Sequence, residues 1–335
     1  MNQTIARVEH IVPFNDVFFR SCYQTAMIVV LKSFNRDIRP LYYSDIHHFE
    51  HNLDQNNLYL ELLNVIPYHH LYHTYLGIYE KPTLRSADIV KDVIKSIDNG
   101  CPVSAFIDRY YQSSAPMYYL KKHSNHTLLL FGYNCEERFF DIVDDYYLSD
   151  DSMYTYGKIS FEDLEKAYEG FDENYPEFKE VPSYYQYSRD ESDYDCTLEV
   201  VQQLQENYFS ALYENKENMY QALEKLQIFR DDLLSVMHTD RFYKKADFYE
   251  RMIWWIIQFR KTEQYIYSSL FTGKLQQSLD QVIFYWEQIK TLLLKILIRG
   301  GLTDKIQSKL TRFFSEIYEL EKNYLDILFS QLSHE

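Results

Sequence analysis

Phe18-Phe19-Arg20-Ser21-Cys22-Tyr23-Gln24-Thr25-Ala26-Met27-Ile28-Val29-Val30-Leu31 is the stretch on which the fold turns. From Cys22 to Phe34 it is mostly apolar, the pattern of a buried helix with a cysteine at its front edge. The first helical turn leaves backbone N–H groups free and carries the positive end of the dipole. A thiol placed there ionises more readily. A lone cysteine is more often a small apolar core residue, so Cys22 needs a base before it means chemistry. About a hundred residues later, His123-Ser124-Asn125-His126-Thr127-Leu128-Leu129-Leu130-Phe131-Gly132-Tyr133 puts a histidine at the head of an apolar strand. These are the parts of a thiol nucleophile and its base.

Working outward, the first half mixes two periods. Tyr43 to about Asn64 reads as helical and irregular. Ser86 is the expected cap of a helix through Ser96, with Ile89, Val93, Ile94 and Ile97 on its inner face, and Asn99-Gly100 ends it. Pro102 to Ile107, Thr127 to Tyr133 and Phe139 to Val143 read as strands, the last two joined by a turn at Asn134-Cys135-Glu136-Glu137. Ser160-Phe161-Glu162-Asp163 opens a helix that reaches Gly170. This half is expected to be α+β, a helical front with an antiparallel sheet behind.

The architecture changes sharply after it. All eight prolines fall at or before Pro182, and no glycine lies between Phe171 and Thr272. Asp172 to Asp195 is acidic and tyrosine-rich and reads as a linker. The boundary is placed near residue 190, giving domains 1–190 and 191–335. Leu275, Leu279, Val282, Trp286, Ile289, Leu293 and Ile296 repeat at alternating spacings of four and three, as do Ile306, Leu310, Phe313, Ile317, Leu320, Tyr324 and Ile327. A third stripe, Met252, Ile256, Phe259, Ile266 and Leu270, is broken by Glu263. An antiparallel bundle of about four long helices follows, with turns at Gly273 and Gly300-Gly301.

Composition sets outer limits. The formal charge of −16 argues against broad nucleic-acid binding. No apolar run is long enough to span a bilayer and no basic-then-apolar leader opens the chain, so a soluble, cytoplasmic protein is expected. Four widely spaced cysteines with no CxxC fit a reducing compartment. Glu136 to Asp195 carries a net charge of −14, and Arg241 to Arg312 a net +7. The basic region balances the acidic one or docks an acidic partner.

Cys22 is the candidate nucleophile and His126 the preferred base, with His123 its rival. The orienting acid is expected on the next strand, where Asp144 is the first choice and Asp141 the second. His47, His48 and His51, and His69, His70 and His73, hold pairs that could share a helix face, but no HExxH accompanies them; no metal and no cofactor are expected.

With these residues in view, "GCPVSAFIDRYY" (Gly100 to Tyr111), "HSNHTLLLFGYN" (His123 to Asn134) and "FFDIVDD" (Phe139 to Asp145), following the cysteine helix, resemble the butirosin biosynthesis protein H-like family. Gly100, Pro102, Val103, Asp108, Tyr110, Tyr111, Tyr119, His123, His126, Gly132, Tyr133 and Asp144 carry the likeness, over roughly residues 10 to 170. The resemblance implies a papain-like domain, close in fold to C39 bacteriocin-processing peptidases, followed by a helical extension. It implies an acyltransferase: Cys22 takes an acyl or aminoacyl group from a carrier-protein thioester and passes it to a small amine, in antibiotic-like secondary metabolism. His126 would move protons and Asp144 orient it. A backbone N–H at the Cys22 helix start would hold the oxyanion, such a donor contributing about 3 kcal/mol. Papain-like enzymes add a glutamine shortly before the cysteine; here Asn15-Asp16-Val17 stands there, leaving Asn15 as the substitute donor. Asp108, Tyr110 and Tyr111 would line the acceptor pocket, Asp108 equally reading as a loop cap. The helical bundle would dock the acidic carrier or form a homodimer. Two other readings stay open: a cysteine peptidase or amide hydrolase with the same residues, and a catalytically inactive papain-like binding module.

Overall fold

The computed structural model describes residues 4–52, 57–146, 153–192, 194–237, 239–268, 270–271, 273–299 and 301–333. In chain order the elements are β1 (Ile5–Arg7), α1 (Cys22–Ser33), α2 (Arg39–Tyr42), β2 (Asp45–Asn52), β3 (Asn57–Asn64), β4 (Ile78–Thr83), α3 (Ile89–Asp98), β5 (Val103–Asp108), β6 (Asn125–Asn134), β7 (Phe139–Tyr146), β8 (Met153–Ser160), α4 (Phe161–Asn174), β9 (Tyr184–Arg189), α5 (Leu198–Glu214), α6 (Lys216–Val236), α7 (Asp240–Ser268), α8 (Lys274–Arg299) and α9 (Asp304–Leu332). They form two compact units. The first is Met1–Pro40 with Pro67–Val200; the second is Leu41–Ile66 with Val201–Glu335.

The first unit is built on an antiparallel sheet of order β4-β9-β5-β6-β7-β8, with β1 paired to the far end of β6. The three strands read from the sequence are β5, β6 and β7, and they sit next to one another. Two further strands were not read from the sequence. The tyrosine-rich stretch expected to be linker contains β9, which inserts between β4 and β5 with Tyr184 and Tyr187 buried. β8 pairs with β7 along its whole length. Helix α1 buries Thr25 to Leu31 without a break. Ser160 caps α4 by accepting from the Asp163 N–H, as its sequence predicts. Helix α3 is capped by Asp88 instead of Ser86; the Ser86 hydroxyl goes to the Asp92 carboxylate.

The second unit corrects two expectations. The described residues from Tyr43 to Asn64 are not helical. They hold the hairpin β2–β3, and the hairpin clusters with the C-terminal helices, so the unit is not all-α and the break near residue 190 is not a clean domain boundary. His47 lies 4.8 Å from the Phe259 ring and Phe49 6.3 Å from Trp286, centroid to centroid. Leu198 to Val236, open to one long helix or two from its pattern, forms two, α5 and α6, so among the described residues the unit holds five long helices against the expected four or so. On α8 the expected stripe is buried in full. On α9 the inner face turns instead to Ile306, Leu310, Phe314, Ile317, Glu321, Tyr324 and Leu328, leaving Phe313, Leu320 and Ile327 part-exposed. A straight helix drifts away from a strict seven-residue repeat, and Glu321 has a partner inside.

That partner explains the broken stripe on α7. Glu263 is buried beside Arg260, whose guanidinium lies 2.5 Å from Glu263 and 2.8 Å from Glu321. Trp286 Nε1 donates to Glu321 at 2.8 Å and Tyr324 Oη to Glu263 at 3.4 Å. Burial raises the Glu263 carboxyl despite the adjacent guanidinium.

Candidate active site

The chain before α1 makes a tight turn. Arg20 takes φ +60°, a conformation uncommon for a side chain with a Cβ. The Ser21 N–H donates to the Phe19 carbonyl at 2.6 Å, and the Phe19 N–H donates to the Thr25 hydroxyl at 3.0 Å. Ser21 is extended and its hydroxyl accepts from the Gln24 N–H at 3.1 Å, a standard N-cap. Cys22 is therefore the first helical residue, and helix geometry leaves its N–H without an intrahelical acceptor.

The sulfur meets the head of β6. Burial by itself would raise the thiol, but the hydrogen bond and charge of His126, with further contacts from Thr127, lower it from 9 to about 7. His126 is 5% exposed and stands opposite Ile107 on β5. Its Nε2 lies 2.7 Å from Asp144 Oδ1 on β7. Nε2 is engaged by Asp144 and by the Arg109 guanidinium, which leaves Nδ1 as the ring nitrogen outside that network. Cys22, His126 and Asp144 are thus brought together in one line of contacts.

Two residues that the sequence reading passed over complete the arrangement. Arg109 and Gln112 leave β5 in a 3-10 turn at Arg109–Tyr111, and both are buried. Arg109 Nη2 reaches Asp144 Oδ1 at 3.0 Å and pairs with Asp145; it also lies 2.8 Å from His126 Nε2. Gln112 donates to Asp144 Oδ2 at 2.5 Å and to the Ser114 hydroxyl at 3.0 Å. Burial would push the Asp144 carboxyl up; the charges of Arg109 and His126 and the Gln112 and His126 hydrogen bonds hold it below its ordinary value. Asp144 and Asp145 together face a single guanidinium. That surplus of negative charge stabilises positive charge arising on His126 when the thiol gives up its proton. The available signal was a lone arginine directly after an apolar strand.

The remaining candidates lie elsewhere in the network. Asn15 is not an oxyanion donor: its amide donates to the Tyr154 carbonyl at 2.9 Å and its Oδ1 accepts from the Tyr154 N–H at 2.6 Å, so it pairs with β8 as a strand residue would. Asp141 does not orient His126; it pairs with Arg7 at 2.7 Å. Asp108 accepts from the Tyr110 and Ser124 N–H groups and the Asn174 amide, and lies 2.5 Å from His123 Nδ1. It is the loop cap, and His123 is its partner, stacked on Tyr110 at 4.3 Å. Tyr111 packs so closely over Gly170 that a Cβ there would lie 2.2 Å from the ring.

His126, Asp144 and Asp145 are grouped tightly enough to suggest metal ligands, but the Arg109 guanidinium already lies among them. His48, Glu50 and Glu61 form a second such group, and it stands on the β2–β3 hairpin, where the helix face expected for His47, His48 and His51 does not exist. His70 and His73 fall in a π-helical turn over His70–Tyr75, with His73 paired to Asp190. A cavity of about 620 Å³ near Arg7 and Asp141 has none of Cys22, His126 or Asp144 in its wall, so chemistry rather than volume marks the site.

The family model described as "Peptidase_C39 like family" matches residues 5–175, just over half of the chain. The chain belongs to that family. The match covers the cysteine helix and strands β5 to β8, and it supports a papain-like, cysteine-protease-like fold for the first unit. No curated protein matches the chain. Among the described residues no helix is long and apolar enough to cross a membrane, and all four cysteines are free.

Proposed function

We propose that this member of the Peptidase_C39 like family is a cysteine-dependent acyltransferase. The observation that carries the reading is the thiol at a helix start, lowered to about 7 by His126, with His126 held in turn by a buried Asp144. In the first half-reaction the thiol proton passes to His126 Nδ1 and the thiolate attacks the carbonyl carbon of an acyl thioester. The oxyanion that forms is met by the Cys22 N–H. As the intermediate collapses, the donor carbon–sulfur bond breaks and His126 returns its proton to the leaving thiolate. The acyl group remains on Cys22. In the second half-reaction an amine attacks the acyl-Cys22 carbonyl, His126 takes the amine proton, and Cys22 leaves and is reprotonated. Asp144, fixed by Arg109 and Gln112, keeps the imidazole oriented through both.

The acyl-carrier-protein donor, the small amine acceptor and a role in antibiotic-like biosynthesis come from the resemblance of the "IDRYY" and "HSNH" stretches to butirosin biosynthesis protein H-like proteins. The family description favours a second reading, in which water replaces the amine and the chain is a peptidase or amide hydrolase. Intact mass separates these. Incubation with N-acetylcysteamine thioesters should add one acyl group, and the adduct should be absent in Cys22→Ala. Amines should then release the acyl group as amide; release only as free acid would establish the hydrolase, and no adduct with any thioester would sink both.

A further inference from the structure

Glu80 lies outside the machinery above. It stands on β4 opposite Tyr187 of β9. On β9, Tyr185 shares a face with Tyr187 and lies opposite Ser104 of β5; on β5, Phe106 shares a face with Ser104 and lies opposite Thr127 of β6. Thr127 follows His126, the partner of the Cys22 thiol, on β6. One face of the sheet therefore runs from the residue after His126 to Glu80. Tyr23, next to Cys22 on α1, covers it: its ring is 5.9 Å from Phe106 and 5.1 Å from Tyr185, and its hydroxyl donates to Glu80 Oε1. Phe106 and Tyr185 are 6.1 Å apart.

Tyr23, Glu80, Phe106 and Tyr185 are all part-exposed, so the cluster opens to the surface. Among the described residues no cation pairs with Glu80. Burial alone raises its carboxyl to about 7, with no positive neighbour to offset it. A half-buried carboxylate without a counter-ion, walled by three aromatic rings, has the composition that binds organic cations. The ring faces attract positive charge and the carboxylate supplies the directional contact.

We infer that Tyr23, Glu80, Phe106 and Tyr185 form a subsite for a protonated amine, guanidinium or quaternary ammonium group carried by the substrate of Cys22. Its meaning for catalysis rests on the proposed acyl-transfer reading; its binding does not. Glu80 here is a recognition residue and takes no part in bond making.

The test is equilibrium binding of n-hexylammonium against the neutral hexan-1-ol, followed by ligand-observed NMR titration of the full chain. At pH 8.5 wild type should bind the ammonium at least about tenfold more tightly than the alcohol. Glu80→Gln, which still accepts from Tyr23, should bind the two alike. Lowering the pH to 5.5 should shrink the wild-type preference as Glu80 takes up its proton. Cys22→Ala should keep it in full. Equal binding of both probes by wild type overturns the inference, and so does a preference that survives in Glu80→Gln. If the preference stands while no thioester acylates Cys22, the subsite holds and the proposed chemistry fails.

Discussion

The molecule contains two buried charge clusters that look alike on paper. In the first unit Arg109 faces Asp144 and Asp145; in the second Arg260 faces Glu263 and Glu321. Both set one guanidinium against two carboxylates. What differs is the fourth partner. Around Arg260 it is an indole and a phenol, Trp286 and Tyr324, which donate hydrogen bonds and exchange no proton near neutral pH. Around Arg109 it is His126, which passes the electrostatics on to a part-exposed thiol. A buried ion cluster becomes chemistry only where a group able to exchange a proton connects it to a reactive atom.

The largest effect should come from cutting that connection. His126→Ala should slow formation of the acyl-Cys22 adduct by ~10²- to 10⁴-fold, the usual contribution of a positioned base. In wild type, alkylation of Cys22 by iodoacetamide should rise with pH around a midpoint near 7, because only the thiolate reacts. The midpoint in His126→Ala should move upward; an unmoved midpoint would show that His126 does not control the thiol.

The Arg260 cluster should respond in stability alone. Arg260→Met leaves two buried carboxylates unpaired and should cost ~3–5 kcal/mol in urea unfolding. Replacing Arg260, Glu263 and Glu321 together by Met, Leu and Met should be near neutral or stabilising, since apolar packing often matches a buried ion cluster. Cys22 alkylation in the folded protein should be unchanged in both. Arg109→Met should do both things at once. It should destabilise by about 3 kcal/mol and also slow acylation, because Asp144 loses the charge that holds it ionised.

The smallest effect belongs to Glu80. Its folded carboxyl titrates near 7 against 4.5 for an ordinary glutamate. Between those values the unfolded chain gives up its proton first, so the Glu80 contribution to stability falls as pH rises through this window. Glu80→Gln should therefore stabilise the ligand-free protein at pH 8 by on the order of 2 kcal/mol, and by almost nothing at pH 4. Melting temperatures at the two pH values check the sign.

Much of the site was legible because its chemistry is local in sequence. A cap, a cysteine and an apolar run mark α1, and His126 and Asp144 flank the apolar runs of β6 and β7, which turn residues separate. Arg109 and Gln112 were missed because only the turn after β5 brings them beneath Asp144; in the sequence they flank the more conspicuous Tyr110 and Tyr111. Asn15 misled because its distance from Cys22 along the chain says nothing of Tyr154, its true partner 139 positions away. The β2–β3 hairpin was read as an irregular helix, and the helix face expected for His47, His48 and His51 went with that reading. Its strand character depends on burying Ile46, Phe49, Leu58 and Leu60, within a unit completed by residues more than 130 positions later. Strand β9 was obscured by the acidic residues on either side of it and by its tyrosines, which suit a strand flanked on both sides by other strands.

The hairpin has a consequence for the chain as a single thread. The backbone passes between the two units three times, after Pro40, after Ile66 and after Val200. No single cut can therefore give two complete pieces. A fragment ending at residue 200 would carry the apolar hairpin without the helices of its own unit. A fragment beginning at residue 201 would lack the hairpin that Phe229, Trp286 and Phe259 pack against. The helical region is thus not an appendage that truncation could remove or recombination exchange at one junction; the two units must be inherited together.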